Sequence, residues 1–433
     1  MEFDGPIEHP DRIHEAARRS RCYSFVLGRT RFESSSELPH QEKDMHTTVR
    51  KHVLSVAALV ITLTLSLDGL ADPSKPKVSV NNITELYAAV NAPQNENKVL
   101  VIAPGTYLLD SLGRPNGGRL ELQSNMSLQG AAGDPEAVVI DASALPTTSY
   151  QIPSNQISPV TFLTGAVRMG RGSNNIEWLT IRNAVNGTAA IETDLDSMSA
   201  SVRIAHVIVH GNQRGIDVRN LGESQAGRVL DARLESNITR DNMTGEGMGL
   251  RFINTNGANN AIVHAVLIGN ESSGNFTGCV AHTLNSSMGQ VIVDSTNDDF
   301  SDNGQGCILS GGTSQGPLAE DNVTIFTSHG SEFTDNVGPV FDSLPLGGIV
   351  AIGGWNGSVP ARANRNALQV GLWASSVEDN RFADMHAFGG LAGTAGVAAG
   401  TGNQLLIELH GFSKPIVPVV DTNSLTGNTV RIQ

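Results

Sequence analysis

Apolar and polar residues alternate along short stretches of the chain. In "VRIAHVIVHGN", residues 202–212, apolar side chains recur at nearly every second position before a Gly-Asn ending. This two-residue period predicts a β-strand with one buried face, and the ending predicts a turn. Similar stretches follow one another, and 46 Gly and 34 Asn supply turn residues between them. We therefore predict an all-β protein rich in turns.

Asparagines recur at a nearly regular distance between these stretches. In a series of five asparagines, the first four begin Asn-x-x-Gly and the fifth has Pro339 in place of the glycine, and the steps between them are 30, 33, 28 and 33 residues. A repeat of this length, with short strands and no helix of its own, is typical of a solenoid. The series consists of Asn212, Asn242, Asn275, Asn303 and Asn336, and Asn186 and Asn380 extend it less regularly.

The repeat predicts coils whose equivalent residues stack. In a parallel β-helix the strands of successive coils lie roughly 4.8 Å apart. We expect each asparagine to adopt the left-handed corner conformation and to hydrogen-bond to the asparagine of the next coil, and each glycine to allow a tight corner. The position four residues after the asparagine should lie in the core, and it is occupied by Ile216, Cys279, Cys307 and Val340.

The two stacked cysteines have two interpretations. Cys279 and Cys307 are the only cysteines after residue 71, so the chain is not a disulfide scaffold. Two core thiols are the favoured interpretation, because directly stacked positions fit the dihedral angle of a disulfide poorly. A disulfide between them is the alternative.

The two ends of the solenoid need caps. In "NNITELYAAVNAPQN", residues 81–95, Leu86, Ala89 and Val90 share one helical face behind an Asn-x-x-Glu start. This predicts an N-terminal amphipathic helix that covers the first coil. The last strands are expected within residues 402–421.

Residues 45–71 have the pattern of a secretory signal peptide. Basic Arg50 and Lys51 precede an uncharged, mostly apolar run from Val53 to Leu67, and a small-x-small site ends at Ala71. This run is shorter than the roughly 18 residues of a spanning helix, so we predict a secreted protein, extracellular or periplasmic, without a membrane span. The predicted organisation is an untranslated or unstructured extension (1–44), the signal peptide (45–71) and one β-helix domain (72–433).

The formal net charge of −14 at pH 7, with His neutral, narrows the choice of partners. An acidic surface repels nucleic acids and anionic membranes, and neither is expected as a partner. We expect a monomer.

Together, these features resemble a known superfamily. The 30-residue repeat, the Asn-x-x-Gly corners, "APGTYLL" (103–109), "LELQSNMSLQG" (120–130) and "NNIEWLTIRN" (174–183) are similar to the pectin-lyase-like proteins. The resemblance implies an all-β, right-handed, single-stranded parallel β-helix and a polysaccharide or cell-surface glycan as partner. It does not select an activity, because the superfamily includes lyases, hydrolases, esterases and non-catalytic adhesins.

One pair of carboxylates is similar to a polygalacturonase motif but falls in the wrong register. Asp298-Asp299 is followed one coil later by Ser-His-Gly at His329. In polygalacturonases the Asp pair immediately precedes the strand that lines the cleft, and here Gly278-Cys279 and Gly306-Cys307 hold that position. We therefore expect no acid–base pair at Asp298-Asp299.

Acidic residues recur at two other coil positions. Glu271, Asp299 and Glu332 lie four residues before their asparagines. Stacked carboxylates repel unless they are solvated, protonated or bridged by a cation, so a calcium site on these three is one hypothesis and a hydrated corner is the other. The residues directly before an asparagine are Asp241, Asp302, Asp335 and Asp379, for which we predict a hydrated corner.

The strands after the glycine corners offer the candidate site. Successive side chains of a strand point alternately inward and outward, and equivalent positions of neighbouring coils stack in columns. This predicts one exposed column with Asp217 and Arg251, and a second with Arg219 and His282. Arg251 and Arg219 are the candidate catalytic residues, because arginine can act on a uronate substrate and the coils lack Lys and Tyr bases. Asp217 and His282 are candidates for substrate binding. A plain ion pair between Asp217 and Arg251 is the structural alternative.

The predicted function is therefore binding, with or without processing, of an extracellular polysaccharide, in particular an acidic one. If the chain is an enzyme, a lyase that uses Arg as its base is favoured over a glycoside hydrolase. A non-catalytic, adhesin-like β-helix is the alternative.

Overall fold

The structure is a computed structural model. It describes residues 75–433 except 147–148, 153–159, 164, 186–188, 244–246, 316–317, 338–339, 342–343, 346, 358–361, 382, 393–399, 413 and 422–425. The predicted extension (1–44), the predicted signal peptide (45–71) and Asn186 lie outside the described residues. No helix among the residues described is long and apolar enough to cross a membrane.

Three parallel sheets, here called A, B and C, are built from the short alternating stretches. From residue 99 to residue 284 the chain visits them in turn, and beyond residue 284 the described strands of these sheets belong to A and C. Sheet A comprises Lys77–Val80, Val99–Ile102, Ser127–Gln129, Ser173–Glu177, Ala200–Ala205, Val229–Glu235, Ile262–Ile268, Gln290–Thr296, Val323–His329, Ala367–Trp373, Gln404–His410 and Thr429–Ile432. Sheet B comprises Gly105–Asp110, Val138–Ala144, Thr180–Arg182, Ile208–His210, Ile238–Arg240 and Glu271–Ser273. Sheet C comprises Leu120–Glu121, Val167–Arg168, Ile191–Glu192, Arg214–Leu221, Met248–Thr255, Thr277–Leu284, Gln305–Ser314, Ile349–Ile352, Met385–Phe388 and Val419–Val420, with Trp355–Asn356 and Leu391–Ala392 at its side.

The remaining elements are short. The described helical elements are the α-helix Ile83–Val90 and the 3-10 turns Pro93–Asn95, Pro115–Gly118 and Glu223–Gln225. Small strand pairs are Ala319–Glu320 with Ala363–Asn364 (parallel), and Ser149–Ile152 with Val160–Leu163 and Val340–Phe341 with Leu344–Pro345 (antiparallel). The predicted right-handed parallel β-helix is confirmed.

The N-terminal helix covers the first coil, as predicted. Asn82 caps it by accepting a hydrogen bond from the Glu85 N–H at 2.9 Å, and the Glu85 carboxylate accepts one from the Asn81 N–H at 2.8 Å. Its buried Leu86 and Val90 join the core of the coils. The helix is shorter than the predicted segment 81–95, because Pro93 begins a separate turn.

From residue 211 onward, ladder corners are built from a left-handed residue followed by an inward asparagine, with Asp298 and Ser331 in its place at two of them. The predicted hydrogen-bonded ladder is confirmed: the Asn275 N–H donates to Asn303 Oδ1 at 3.0 Å, and the Asn303 N–H donates to Asn336 Oδ1 at 3.0 Å. The prediction that the asparagine itself is left-handed is wrong. Positive φ falls on the residue before it, as at Asp302 (56°) and Asp335 (56°), which leaves the asparagine free to point inward.

The same device occurs at all three corners of the coil. Between sheets B and C the ladder runs through Asn212, Asn242, Asn275, Asn303, Asn336 and Asn380. Between sheets C and A it runs through Asn322, Asn366, Asn403 and Asn428. Between sheets A and B it runs through Asn237, Asn270, Asp298 and Ser331. Buried backbone groups at every corner therefore find partners one coil away.

Glycine is required after the ladder asparagines because the next coil lies too close for a side chain there. A Cβ atom on Gly278 would lie 2.7 Å from Asn303 Nδ2 and 2.7 Å from the Gly306 carbonyl oxygen. The ladder thus leaves no room for a side chain at this position. Where loops are inserted, Gly249 and Gly348 take the equivalent place, and Ile349 rather than Val340 stacks on Cys307.

The two cysteines stack in the core. Cys279 pairs in register with Cys307, and both are buried and free. The thiol interpretation is confirmed and the disulfide is wrong. Burial raises the pKa of the Cys307 thiol well above its usual value, so it stays protonated.

The ladder predicts a large effect from a single substitution in it. Asn303→Ala removes the acceptor of the Asn275 N–H and the donor to the Ser272 carbonyl oxygen at 2.6 Å. Each buried polar group left without a partner costs about 1 to 3 kcal/mol, so we expect a loss of about 2 to 4 kcal/mol in urea unfolding. Val337→Ala, at a side chain 57% exposed in the next coil, is the control and should change stability by less than about 0.5 kcal/mol. Equal losses in the two variants would contradict the ladder.

Candidate functional site

The outer face of sheet C carries the predicted columns. Asp217 pairs with Arg251 in register, and Arg219 and His282 share a column with Ile253 between them, as alternation predicts. The first column continues toward the N-terminus through Glu192, Arg168 and Glu121. Five charged side chains therefore stack on successive coils, where the sequence had predicted two.

Ion pairs join these side chains to their neighbours in a charge cluster. The cluster consists of Glu121, Arg168, Glu192, Asp194, Arg214, Asp217, Arg219 and Arg251. Arg168 contacts Glu121 at 2.6 Å and Asp194 at 3.0 Å. Arg251 holds both oxygens of Asp217, with its Nε at 2.9 Å from Oδ1 and its Nη2 bonded to Oδ2. Each carboxylate of the cluster thus lies within 4 Å of at least one arginine nitrogen.

The prediction that these columns are exposed is wrong. The whole-residue exposure is 0% for Asp217 and Arg219 and 6% for Arg251. The side chains do point away from the core, but the arginines and carboxylates cover one another. Four side chains of the cluster stay partly accessible: Glu121 keeps 18% of its side-chain exposure, and Arg168, Arg214 and Arg251 keep 13%, 9% and 7%.

Arg219 lies at the centre of the cluster. Its Nη2 is 2.7 Å from Asp194 Oδ2 and its Nη1 is 3.1 Å from Asp217 Oδ2. Two carboxylates at these distances stabilise the charged guanidinium. The geometry therefore does not favour Arg219 as a general base, and the assignment of Arg219 and Arg251 as catalytic residues gains no support from it.

Glu192 and Asp217, on adjacent coils, have opposite pKa shifts. Burial raises the pKa of Glu192 to about 7. Burial would also raise the pKa of Asp217, but Arg251 and Arg219 outweigh it and hold that pKa below its usual value. Carboxyl groups whose environments separate their pKa values are typical of acid–base sites.

Arg228 holds the segment that carries Glu192 and Asp194. It is 2% exposed and donates to the carbonyl oxygens of Gly170, Thr193 and Met198 at 3.0 to 3.1 Å. Burial lowers its pKa to about 10, which still leaves it charged at neutral pH. This side chain ties three coils together behind the cluster.

The sequence prediction missed Arg168, Glu192 and Asp194. The step back to Asn186 is irregular, so the register was not extended to this coil. A usable signal was present: Ile191-Glu192-Thr193-Asp194 alternates uncharged and charged residues in the same way as Ile216-Asp217-Val218-Arg219. Ile191 does pair with Ile216 in the structure.

His282 lies outside the ion-pair cluster. It is half-buried, and its Nδ1 is 3.1 Å from Thr313 Oγ1, which in turn lies 3.3 Å from Ser310 Oγ. Ile253 separates it from Arg219 along the column. The structure therefore does not bring His282 together with the other three predicted residues.

The acidic column at sheet B stacks as predicted. Glu271, Asp299 and Glu332 are joined by parallel bridges on successive coils. Within the described part of the chain, no group of three or more His, Cys, Asp or Glu has the spacing to hold a metal ion. The calcium hypothesis at these three residues gains no support from the geometry and stays a prediction.

Asp298 has a structural role. It is 1% exposed and takes the place of an asparagine in the corner ladder, where it accepts hydrogen bonds from the N–H and Nδ2 of Asn270 at 2.7 and 2.8 Å. Burial raises its pKa, and the bonds from Ser295 and Asn270 partly offset the shift. His329 stacks on Trp373 with ring centroids 5.0 Å apart, at the end of a sheet A strand. Neither residue faces sheet C's charge cluster.

Comparisons with known proteins give distant likenesses. No protein-family model matches the sequence, and no curated protein is similar to it. The A-module of a mannuronan C-5 epimerase from Azotobacter vinelandii is 14% identical, with 82% of this chain and 94% of that chain covered and a TM-score of 0.39. The catalytic domain of a GH87 α-1,3-glucanase is 12% identical (84% and 69% covered, TM-score 0.35), and a PL6 alginate lyase is 10% identical (81% and 55% covered, TM-score 0.29). At this distance the likenesses carry no information about activity.

The raised pKa of Glu192 predicts a specific dependence of stability on pH. The folded protein binds a proton on Glu192 that the unfolded chain releases near pH 4.5, so this residue costs stability as the pH rises from about 4.5 to 7. The melting temperature of Glu192→Gln minus that of the unmutated protein should therefore increase as the pH rises from about 4.5 to 7. Above pH 7 this difference should stay constant.

Glu235→Gln provides the control of opposite sign. Arg233 and Arg203 outweigh burial and lower the pKa of Glu235, so this carboxylate stabilises the fold at neutral pH and its contribution is lost on acidification. The variant should lose melting temperature at pH 7 and approach the unmutated protein at low pH. The same pH trend in the two variants would contradict the assignment.

Proposed function

We propose that the protein binds an extracellular acidic polysaccharide along the outer face of sheet C, with the charge cluster as the contact for its carboxylate groups. The observation that carries this proposal is the arginine rim. Three arginine side chains keep exposure, as does Glu121 at the N-terminal end of the column, while Glu192, Asp194 and Asp217 keep only 0 to 1%. On the coils from Arg168 to Arg251, an approaching ligand meets arginine side chains before these three carboxylates, in a chain whose net charge is −14.

Arginine suits this task because its planar fork matches a carboxylate and binds it bidentately. Arg168, Arg214 and Arg251 come from coils that lie up to three steps apart, and they span roughly 14 Å at the usual strand spacing. A polymer with a carboxylate on successive units can contact several coils at once. The acidic remainder of the surface would repel polyanions elsewhere and so favour this face.

A second candidate function is cleavage of that polysaccharide. It is favoured by Glu192 and Asp217, whose opposite pKa shifts suit a general acid and a general base. An arginine-based lyase is less well supported, because Arg219 and Arg251 are both held in ion pairs. Binding without cleavage, in an adhesin-like role, remains the alternative to catalysis.

Secretion is part of the same proposal. The pattern of residues 45–71 supports export, and the β-helix domain from residue 72 would then meet its ligand outside the cell or in the periplasm.

Binding can be tested on immobilised pectate, alginate and chondroitin, with dextran as the neutral control. We expect binding to at least one acidic polymer, and Arg251→Ala or Arg168→Ala should weaken it about tenfold or more, because each removes a charge-assisted contact. Asp299→Asn, on sheet B, should bind like the unmutated protein. Circular dichroism of each variant checks that the β-structure is intact.

The reverse pattern, with loss on Asp299→Asn and none on either arginine variant, would refute the site, and binding to dextran alone would refute the ligand class. New absorbance at 235 nm would identify a lyase, and new reducing ends without it would identify a hydrolase. Loss of either signal in Glu192→Gln and Asp217→Asn would support the acid–base pair.

A further inference from the structure

The outer face of sheet C changes character beyond the charge cluster. The column that holds Asp217 and Arg251 continues on the next four coils through Val280, Ile308, Val350 and His386. Val280 and Val350 are buried, and Ile308 and His386 are half-buried. The charged part of the face is therefore followed by an apolar strip, which consists of Val280, Ile308 and Val350.

A second apolar cluster adjoins this strip. It is formed by Val350, Ile352 and Phe388, with the partly buried Trp355 and Leu391 packed against them. The cluster is separate from the core of the coils, because alternate residues of the strand Ile349–Ile352 face opposite sides of the sheet. A ligand on this part of the face would meet apolar and aromatic carbon atoms.

Gln305 lies at the edge of the apolar strip with an unsatisfied carboxamide. Its column runs back through Thr277 to Arg214, and Arg214 contacts Asp217 on the outer face at 3.7 Å. Gln305 is 0% exposed, and neither the oxygen nor the nitrogen of its carboxamide has a hydrogen-bonding partner in the described part of the chain. Such a group costs stability, so its presence next to a candidate ligand site favours a role in binding.

His386 presents a second atom of this kind at the far end of the strip. Its Nε2 is buried without a hydrogen-bonding partner among the described residues, and its ring stacks on Phe388 with ring centroids 6.2 Å apart. Burial lowers the pKa of His386 below its usual value, so the ring is uncharged at pH 7. Gln305 and His386 are thus both neutral, and they suit the hydroxyl groups of a sugar better than its carboxylate.

We propose that the apolar strip is a second subsite, which binds a sugar ring through its C–H face and through hydrogen bonds from its hydroxyl groups to Gln305 and His386. A few polar groups around an apolar surface are typical of ligand sites. Both polar groups are shielded in the free protein, so binding involves a change of side-chain rotamer, which is common at binding sites.

This inference rests on the proposed function and extends it along the sheet. The arginine rim holds a carboxylate of the polysaccharide, and the same polymer continues over the following coils. His386 lies four coils beyond Arg251, a distance of roughly 19 Å at the usual strand spacing. A long oligosaccharide can therefore contact the rim and the strip together, whereas a short one is held by the rim.

The unsatisfied groups predict opposite effects of one substitution on stability and on binding. Gln305→Met keeps an unbranched side chain and removes the buried carboxamide, so the melting temperature should rise by about 1 to 3 °C. The variant also loses a hydrogen bond to the ligand, so the affinity should fall about three- to tenfold. His386→Phe should show the same pattern.

Gln369→Met is the matched control on sheet A. The Gln369 carboxamide donates to Glu408 at 2.8 Å, so its removal should give no rise in melting temperature. Its position away from sheet C should leave binding unchanged.

The experiment measures melting temperatures, and binding by isothermal titration of oligosaccharides of three and of eight units from pectate and from alginate. We expect the unmutated protein to bind the eight-unit form at least about tenfold more tightly than the three-unit form, because only the longer one reaches both subsites. Gln305→Met and His386→Phe should weaken binding of the eight-unit form and leave that of the three-unit form unchanged. Arg251→Ala should weaken binding of both.

The outcomes separate the two proposals. Unchanged affinity of Gln305→Met and His386→Phe for the eight-unit form would overturn the subsite, and weaker binding by Arg251→Ala would leave the proposed function standing. A lower melting temperature of Gln305→Met would show that the carboxamide has a partner in the free protein and would also overturn the subsite.

Two results with the unmutated protein decide the question even if a variant fails to fold. Equal affinity for the two lengths would overturn the subsite alone. Absence of binding of both lengths would overturn the proposed function together with the subsite.

Discussion

The left-handed corner followed by an inward asparagine is the constraint on which the rest of this structure depends. Every turn of a solenoid brings backbone N–H and C=O groups into the interior, where water cannot reach them. Here the asparagine amide of the next coil accepts from them, as Asn303 Oδ1 does for the Asn275 N–H. Because each amide bonds along the axis of the β-helix, the corners also lock one coil to the next in register.

This register explains why the charged side chains of the cluster stack on successive coils and why two carboxylates become neighbours in it. Stacking places equivalent side chains roughly 4.8 Å apart, so two acids at the same coil position become neighbours. At the solvated corners Asp302 and Asp335 tolerate this arrangement in water. Glu192 and Asp217 face the same conflict in a buried setting, where arginines compensate Asp217 and a proton can compensate Glu192.

Much of the fold could be predicted from the sequence because the asparagine repeat reports a stacking interaction directly. The ladder, the pairing of Asp217 with Arg251 and the stacked thiols all follow from counting residues after the asparagine. Two features could not be predicted: which corner residue is left-handed, and why glycine follows the asparagine. Both depend on how closely neighbouring coils approach each other. At Gly278, for example, Asn303 of the next coil leaves no room for a side chain.

The site was harder to predict than the fold. Alternation correctly placed Arg219 and Arg251 away from the core, but exposure depends on neighbouring side chains as well as on direction. Arg168, Glu192 and Asp194 come from coils where the repeat is irregular, and Glu192 and Asp194 form ion pairs with Arg219. In a site assembled across coils of unequal length, a local pattern such as that of residues 191–194 indicates which side chains point outward, but only the stacked coils show which of them meet.

The central claim is that ligand binding occurs at the arginine rim of sheet C. Hydrogen exchange with and without an acidic oligosaccharide that binds tests it most directly, because the ligand should slow exchange where it lies. We predict protection in residues 167–171, 191–194 and 214–221, and none in residues 262–268 of sheet A. Protection confined to sheet A or to the acidic column of sheet B, with sheet C unchanged, would contradict the claim.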